Sequence, residues 1–274
     1  MTTPSLCFIG GGNMARSLIG GLIADGWPSE RIHVTDTNPE PLTQLAERFG
    51  VTTSRDNTSA AARADVLVLA VKPQVMHGVA GEIAAAIQRN RPLIISIAAG
   101  IRSTDLDRWL GGDNAVVRCM PNTPALVQGG ATALFANPRV DEPRRDLAES
   151  ILRAVGLTLW LDDEQLMDAV TALSGSGPAY FFLIMEALQA AGEQLGLPTE
   201  TARLLTLQTA FGAAKMALES AEDAGSLRRR VTSPGGTTET ALQVMEEGQL
   251  RDLMVRALTA ARDRSRQLAD QLGN

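Results

Sequence analysis

The sequence predicts two folded parts: an α/β domain over residues 1–162, built on a doubly wound, mainly parallel sheet, and an all-α region over residues 163–274. Three observations carry this reading. Short apolar runs alternate with amphipathic helical segments through the first 160 or so residues. A glycine-rich turn joins the first apolar run to the first helix. After Asp162-Asp163-Glu164 the strand pattern stops and long apolar helical runs follow.

The apolar runs that read as strands are Leu6–Ile9, Ile32–Thr35, Val66–Val71, Leu93–Ile97, Ala115–Met120, Ala131–Phe135 and Thr158–Leu161. Between most of them lie segments of helical period. Two of these, MARSLIGGLIADG and PEPLTQLAERFG, end in glycine, a helix C-terminal signal. Fully apolar short strands separated by helices imply a parallel sheet covered on both faces. Beyond residue 163 the runs AYFFLIMEALQAAGEQLG, ETARLLTLQTAFGAAKMALESAE, TETALQVMEEG and QLRDLMVRALTAARDRSRQLADQLG carry wide apolar faces. Helices that apolar need a partner surface, either internal or in a second copy of the chain.

Composition excludes several function classes. A net charge of −6 and no long basic run argue against nucleic-acid binding; Arg228-Arg229-Arg230 is too short to alter this. No apolar stretch approaches the roughly 18 residues a membrane span requires. The N-terminus has no basic segment before its apolar residues, so it reads as a first strand. Cys7 and Cys119 sit inside strand-like runs and read as small buried hydrophobes. His33 and His77 have no metal-ligand spacing, so no metal site is expected, and a reducing cytoplasm is the expected compartment.

FIGGGNMA fits G-x-G-x-x-A through Gly10, Gly12 and Ala15, with a strand before it and a helix after it. In dinucleotide-binding folds the first glycine permits the turn, the second admits the pyrophosphate and the third small residue lets helix and strand pack closely. The helix N-terminus offers free N–H groups and positive dipole to phosphate. The second strand ends at Asp36, where an acid bonds ribose hydroxyls and favours NAD. Thr37 and Asn38 follow and can donate to a phosphate.

Ligands of a doubly wound sheet bind at the carboxyl ends of its strands. Val71, Lys72 and Pro73 follow the third predicted strand. Ala98, Ala99 and Gly100 follow the fourth, and their small size leaves room for a flat ring. Asn122 follows the fifth, in a loop fixed by Pro121 and Pro124; ordinary β–α turns would also explain these loops. Leu173 to Tyr180, LSGSGPAY, reads as a turn or cap before the first long helix. Within VTSPGGTTETALQ, the segment SPGGTT gathers a proline, two glycines and three hydroxyls before a helical run. That accumulation exceeds what a plain N-cap needs and suits a small anion. Gly235 and Gly236 would turn backbone N–H groups toward it, with Ser233, Thr237 and Thr238 adding hydroxyls.

Taken together, FIGGGNMA, AVKPQ, SIAAG, RCMPNTPA, SGSGPAY and VTSPGGTT resemble the pyrroline-5-carboxylate reductase family, in the family's order and nearly end to end. The resemblance implies an N-terminal Rossmann domain and a C-terminal helical domain that interlocks into a homodimer, with decamers (pentamers of dimers) in many members. It implies reduction of 1-pyrroline-5-carboxylate to L-proline by NAD(P)H, with NADP(H) favoured; Asp36 leaves NAD(H) open. It places the cofactor at Gly10, Gly12, Asn13, Met14, Asp36, Thr37, Asn57, Val71, Lys72, Pro73, Ala98, Ala99, Gly100 and Asn122. It places the substrate at Ser233, Gly235, Gly236, Thr237 and Thr238, with the Thr238 hydroxyl near the ring nitrogen. Two rival readings stand beside it. A β-hydroxyacid dehydrogenase would use a helix-borne lysine, for which Lys215 is the candidate, because an alcohol–ketone couple needs a proton shuttle. A nucleotide-binding protein without turnover is the other.

Overall fold

The computed structural model describes residues 3–273. Its strands are β1 (Leu6–Ile9), β2 (Ile32–Thr35), β3 (Thr52–Ser54), β4 (Val66–Leu69), β5 (Leu93–Ser96), β6 (Val116–Met120), β7 (Gly130–Ala136) and β8 (Gly156–Trp160). They form one sheet in the order β3-β2-β1-β4-β5-β6-β7-β8. Only the β6–β7 pair is antiparallel. The helices around this sheet are α1 (Asn13–Ala24), α2 (Pro39–Phe49), α3 (Asn57–Ala61), α4 (Pro73–Asn90), α5 (Ser103–Trp109), α6 (Glu142–Arg153) and α7 (Met167–Val170).

All seven predicted strands are present; β1 and β2 have the predicted bounds and the other five have ends shifted by one or two residues. The eighth, β3, was not foreseen. It has three polar residues, TTS, and therefore no apolar run to announce it; it forms by pairing with β2, Thr35 opposite Ser54. The His33 ring lies between the Thr52 and Ser54 hydroxyls at 2.8 and 2.9 Å.

Side-chain alternation divides the core. Leu6 and Phe8 of β1 pack with Leu18 and Ile19 of α1, Leu45 of α2 and Ile151 of α6. Cys7 and Ile9 point to the other face, with Met76 and Ile83 of α4 and Leu106 of α5. Both faces are thus covered, as parallel strands require. Both cysteines are buried. Burial pushes the Cys7 thiol up to about 12, against a smaller opposing effect of Arg63, and also raises Cys119. Edge strand β8 departs from the pattern, with Leu157 and Leu159 exposed.

Packing divides the chain into two compact units: residues through Ser176 together with those from Ala261 onward, and Gly177–Ala260. The change of secondary structure near residue 162 is therefore not where the packing changes. Polar ties explain the difference. Arg118 of β6, 5% exposed, pairs with Glu164 at 3.0 Å. Ser265 donates to Asp168 at 2.7 Å, and Arg102 pairs with Asp270. These contacts join the segment after residue 162, and the end of the last helix, to the sheet.

The second unit holds α8 (Gly177–Gln194), α9 (Thr199–Glu219), α10 (Ala224–Arg230), α11 (Thr237–Glu247) and the start of α12 (Leu250–Leu272). Within it α8 and α9 pack together, with the Ala202 side chain over Gly192. Phe181, Phe182, Leu183, Phe211 and Leu218 remain exposed on the single chain. No described helix is long and apolar enough to cross a membrane.

Candidate active-site elements

Strand β1 lies between β2 and β4, and the helices that follow it and β4 cover opposite faces of the sheet. The chain therefore diverges at the carboxyl ends of β1 and β4, which is where such sheets hold ligands. The first glycine loop lies there. Gly10 has φ +104°, and a Cβ on it would lie 2.6 Å from the Ala70 carbonyl oxygen, so only glycine fits. Gly12 differs: a Cβ there would meet nothing within 4 Å. Gly12 caps α1 without a side-chain bond, and the first turn holds no acidic residue. The first bond back into the helix runs from Arg16 N–H to the Gly12 carbonyl at 2.9 Å. The N–H groups of Asn13, Met14 and Ala15 thus have no acceptor within the helix. Open space above uncapped donors suits the phosphates of a dinucleotide.

Asp36 is tied into this loop. One carboxylate oxygen accepts the Gly11 N–H and the other the Asn38 N–H, both at 2.8 Å. Gly11 was not singled out in the sequence, since the G-x-G-x-x-A pattern leaves its position free. Thr37 and Asn38 are exposed, and Asn38 caps α2 by accepting the Glu40 N–H at 3.1 Å. The Asn57 amide links two elements: it accepts the Thr35 hydroxyl at 2.6 Å and donates to Glu82 at 3.1 Å.

At the end of β4, Val71 and Pro73 are half-buried, while Lys72 is exposed and caps the N-terminus of α4. At the end of β5 the expected room for a flat ring is not found at every position. Ala98 is buried in the core. Gly100 has φ +71°, and a Cβ there would meet the Leu268, Ala269 and Leu272 positions of α12 at 3.6–3.8 Å. Those are ordinary contact distances, so glycine is there for the left-handed backbone turn; Ala99 is the half-buried member of the three. Asn122, after β6, spends its side chain within the protein. It accepts the Ala131 N–H at 2.9 Å and donates to the Ser174 hydroxyl and carbonyl at 3.2 and 3.3 Å. Ser174 lies in a π-helical turn, Thr171–Gly175, where the sequence suggested an ordinary cap.

The 231–238 turn belongs to the second unit. Gly236 N–H closes it onto the Ser233 carbonyl at 3.0 Å, and Gly235 has φ +70°. Pro at the second position and a left-handed Gly at the third make this a type II turn. Gly235 N–H donates to the Glu239 carboxylate at 2.7 Å. The sequence expectation that both glycine N–H groups face a ligand is thus corrected: the turn and Glu239 consume them. The donors left open are those of Thr237, Thr238 and Glu239, since the first bond back into α11 is from Thr240 to the Gly236 carbonyl. The Ser233, Thr237 and Thr238 side chains are exposed. Lys215 is exposed on α9, its ammonium 3.7 Å from Glu219.

The Arg118–Glu164 pair was also missed. Glu164 accepts the Ser103 N–H at 2.7 Å and its hydroxyl at 2.6 Å besides pairing with Arg118. An arginine inside the apolar run VVRCM was the available signal, because a cation that deep needs a partner.

Comparison with known proteins decides the family. A pyrroline-5-carboxylate reductase from Pseudomonas aeruginosa is 53% identical over the whole of both chains. The chain belongs to the pyrroline-5-carboxylate reductase family. The reductase from Pasteurella multocida is 44% identical over 98% of each chain. The family model for pyrroline-5-carboxylate reductase dimerisation matches residues 164–268, and one for coenzyme F420-dependent NADP oxidoreductases matches residues 5–100. The solved pyrroline-5-carboxylate reductase from Coxiella burnetii superposes with a TM-score of 0.94 at 51% identity, covering 98% of this chain and 99% of that one. The Plasmodium falciparum enzyme, solved with NADP bound, gives 0.86 at 29% identity over 98% and 99%. A Mycobacterium tuberculosis 3-hydroxyisobutyrate dehydrogenase shares the fold alone, at 18% identity and a TM-score of 0.54. As a family member the chain is an oxidoreductase with a nicotinamide-cofactor fold and a region that assembles into oligomers.

Proposed function

We propose that this chain reduces 1-pyrroline-5-carboxylate to L-proline, the last step of proline synthesis. The observation that carries the reading is full-length identity of 53% to a reductase of that name. The nicotinamide cofactor supplies the hydride when bound. The chain's own residues then have three tasks.

The first is to hold the dinucleotide. The open N–H groups of Asn13 and Met14 and the space above Gly12 take the pyrophosphate, while Gly10 keeps the turn. Asp36, Thr37 and Asn57 border the adenosine end. Val71, Lys72, Pro73, Ala99 and the loop held by Asn122 border the nicotinamide end, and Ala98 and Gly100 shape the backbone that carries Ala99. The second task is to hold the substrate carboxylate at the start of α11. Ser233, Thr237 and Thr238 supply hydroxyls there, the Thr237 and Thr238 N–H groups donate, and Gly235 and Gly236 keep the turn that presents them. The third is orientation. A cyclic imine can arrive already protonated, so no strong acid is required, and positioning carries the rate. Thr238 is the residue assigned to orient the ring nitrogen. NADP(H) is the favoured cofactor and NAD(H) the alternative. The exposed apolar residues of α8 and α9 are assigned to a homodimer, and the pentamer of dimers to its further assembly. The working compartment is the cytoplasm.

The test is loss of absorbance at 340 nm with pyrroline-5-carboxylate, run in parallel with NADPH and NADH. Turnover is expected, and Thr238→Ala is expected to lower kcat while cofactor Kd is unchanged. No turnover by folded protein that still binds cofactor would refute the activity. Unaltered kinetics in the variant would refute the role of Thr238.

A further inference from the structure

We infer that Arg55 reads the 2′-phosphate of NADP(H), which makes this chain selective for the phosphorylated cofactor although its second strand ends in an acid. The inference rests on the cofactor reading above.

Strands β2 and β3 are parallel, with Thr35 opposite Ser54. The residues that follow the two strands are Asp36 and Arg55. Continued one step past the last pair, the register brings positions 36 and 55 side by side at the carboxyl edge of the sheet, where a bound adenosine ribose is placed. In sequence the two are far apart, and no Lys or Arg adjoins Asp36-Thr37-Asn38. Arg55 is exposed and makes no ion pair or hydrogen bond among the described residues. Most other arginines near the first two helices are engaged: Arg16 donates to Gln44 at 2.8 Å and Arg48 lies over Phe49.

A second observation shows that a 2′-phosphate bound here would have to draw on a side-chain cation. The usual phosphate holder, a helix N-terminus, is closed at α2. Pro39 and Pro41 have no N–H to donate. Glu40 N–H is taken by the Asn38 side chain, and Asn38 N–H by Asp36. In this loop the donors without a partner among the described residues are the Thr37 N–H and hydroxyl and the Asn38 side-chain amide. All are neutral, so they leave a dianionic phosphate beside a carboxylate without compensating charge. Arg55 supplies it, in the planar fork that suits phosphate. Asp36 meanwhile has both carboxylate oxygens bonded to backbone N–H groups, Gly11 and Asn38, so its charge is drawn toward the glycine loop.

The test uses the full chain and needs no turnover. Binding of 2′,5′-ADP, 5′-AMP, NADPH and NADH is measured by titration calorimetry for the wild type, Arg55→Gln and Arg55→Lys, with Arg16→Gln as a charge-matched control. Loss of one charge-assisted phosphate contact corresponds to roughly 10- to 100-fold weaker binding. Arg55→Gln is expected to lose that factor for 2′,5′-ADP and NADPH, to keep its affinity for 5′-AMP and NADH, and to show a shallower salt dependence. Arg55→Lys recovers part of the loss, and Arg16→Gln changes nothing. An unchanged NADPH-to-NADH ratio in Arg55→Gln overturns the inference and leaves the cofactor reading intact. Wild-type protein that binds neither nucleotide overturns both, and wild-type protein that prefers NADH overturns the inference alone.

Discussion

The two outer glycines of the first loop have opposite duties, and a pair of alanine substitutions separates them. In Gly10→Ala the new Cβ would lie 2.6 Å from the Ala70 carbonyl oxygen, where ordinary contact begins at 3.4 Å. Residue 10 also has φ +104°, a conformation that costs an L side chain about 1–3 kcal/mol. Forcing a methyl against fixed backbone adds about 1–3 kcal/mol. The sum, about 2–6 kcal/mol, is a large part of a typical stability of about 5–15 kcal/mol. Gly12→Ala meets nothing within 4 Å. Its cost is that of a poorer helix cap, about 1 kcal/mol. All three tryptophans, Trp27, Trp109 and Trp160, lie in the sheet unit, so urea melts followed by tryptophan fluorescence read that unit alone. Gly10→Ala should melt at much lower urea. Gly12→Ala should melt near wild type yet lose cofactor affinity, because the methyl occupies the space assigned to the pyrophosphate. Equal melts for Gly10→Ala and wild type would refute the strain argument. An unchanged cofactor Kd in Gly12→Ala would refute the placement of the phosphates.

Two further predictions concern buried and half-buried polar groups. Arg118→Met strands the Glu164 carboxylate beside Ser103 and should destabilise the sheet unit by about 3–5 kcal/mol, while Arg118→Met combined with Glu164→Gln recovers a measurable part in the same urea melt. The His33 pKa lies below its ordinary 6.5, first because burial disfavours the imidazolium and then because Arg63 repels it. Below pH 6.5 the unfolded chain therefore binds the proton more readily, and the contribution of His33 to stability, full above that pH, is lost as pH falls through the folded pKa. His33→Gln should flatten this part of the pH–stability curve; an unchanged slope would show that His33 does not set it.

The sequence determined the parts that depend on short-range pattern. Short apolar runs rich in β-branched residues, such as VLVL and LIIS, alternating with helical segments, suit strands buried on both faces, so a parallel sheet followed from them. Gly10 and Gly12, between a strand and a helix, fixed the kind of loop without any tertiary information. The order of the six motifs pointed to the family that full-length comparison then showed. The tertiary structure decided what depends on residues far apart in the chain. Strand β3 exists because β2 offers it a hydrogen-bonding edge, not because TTS favours a strand. Asp36 reaches the Gly11 N–H because strand pairing sets the end of β2 beside the end of β1. Gly100 lies under α12, which joins its surroundings from more than 160 residues away and covers a position that looked open. Gly235 and Gly236 looked like open donors, but the partners that consume their N–H groups, Glu239 and the Ser233 carbonyl, appear only once the turn and helix are built. The type of a turn residue constrains its backbone angles; which groups remain free to meet a ligand is set by hydrogen-bond competition in the folded chain.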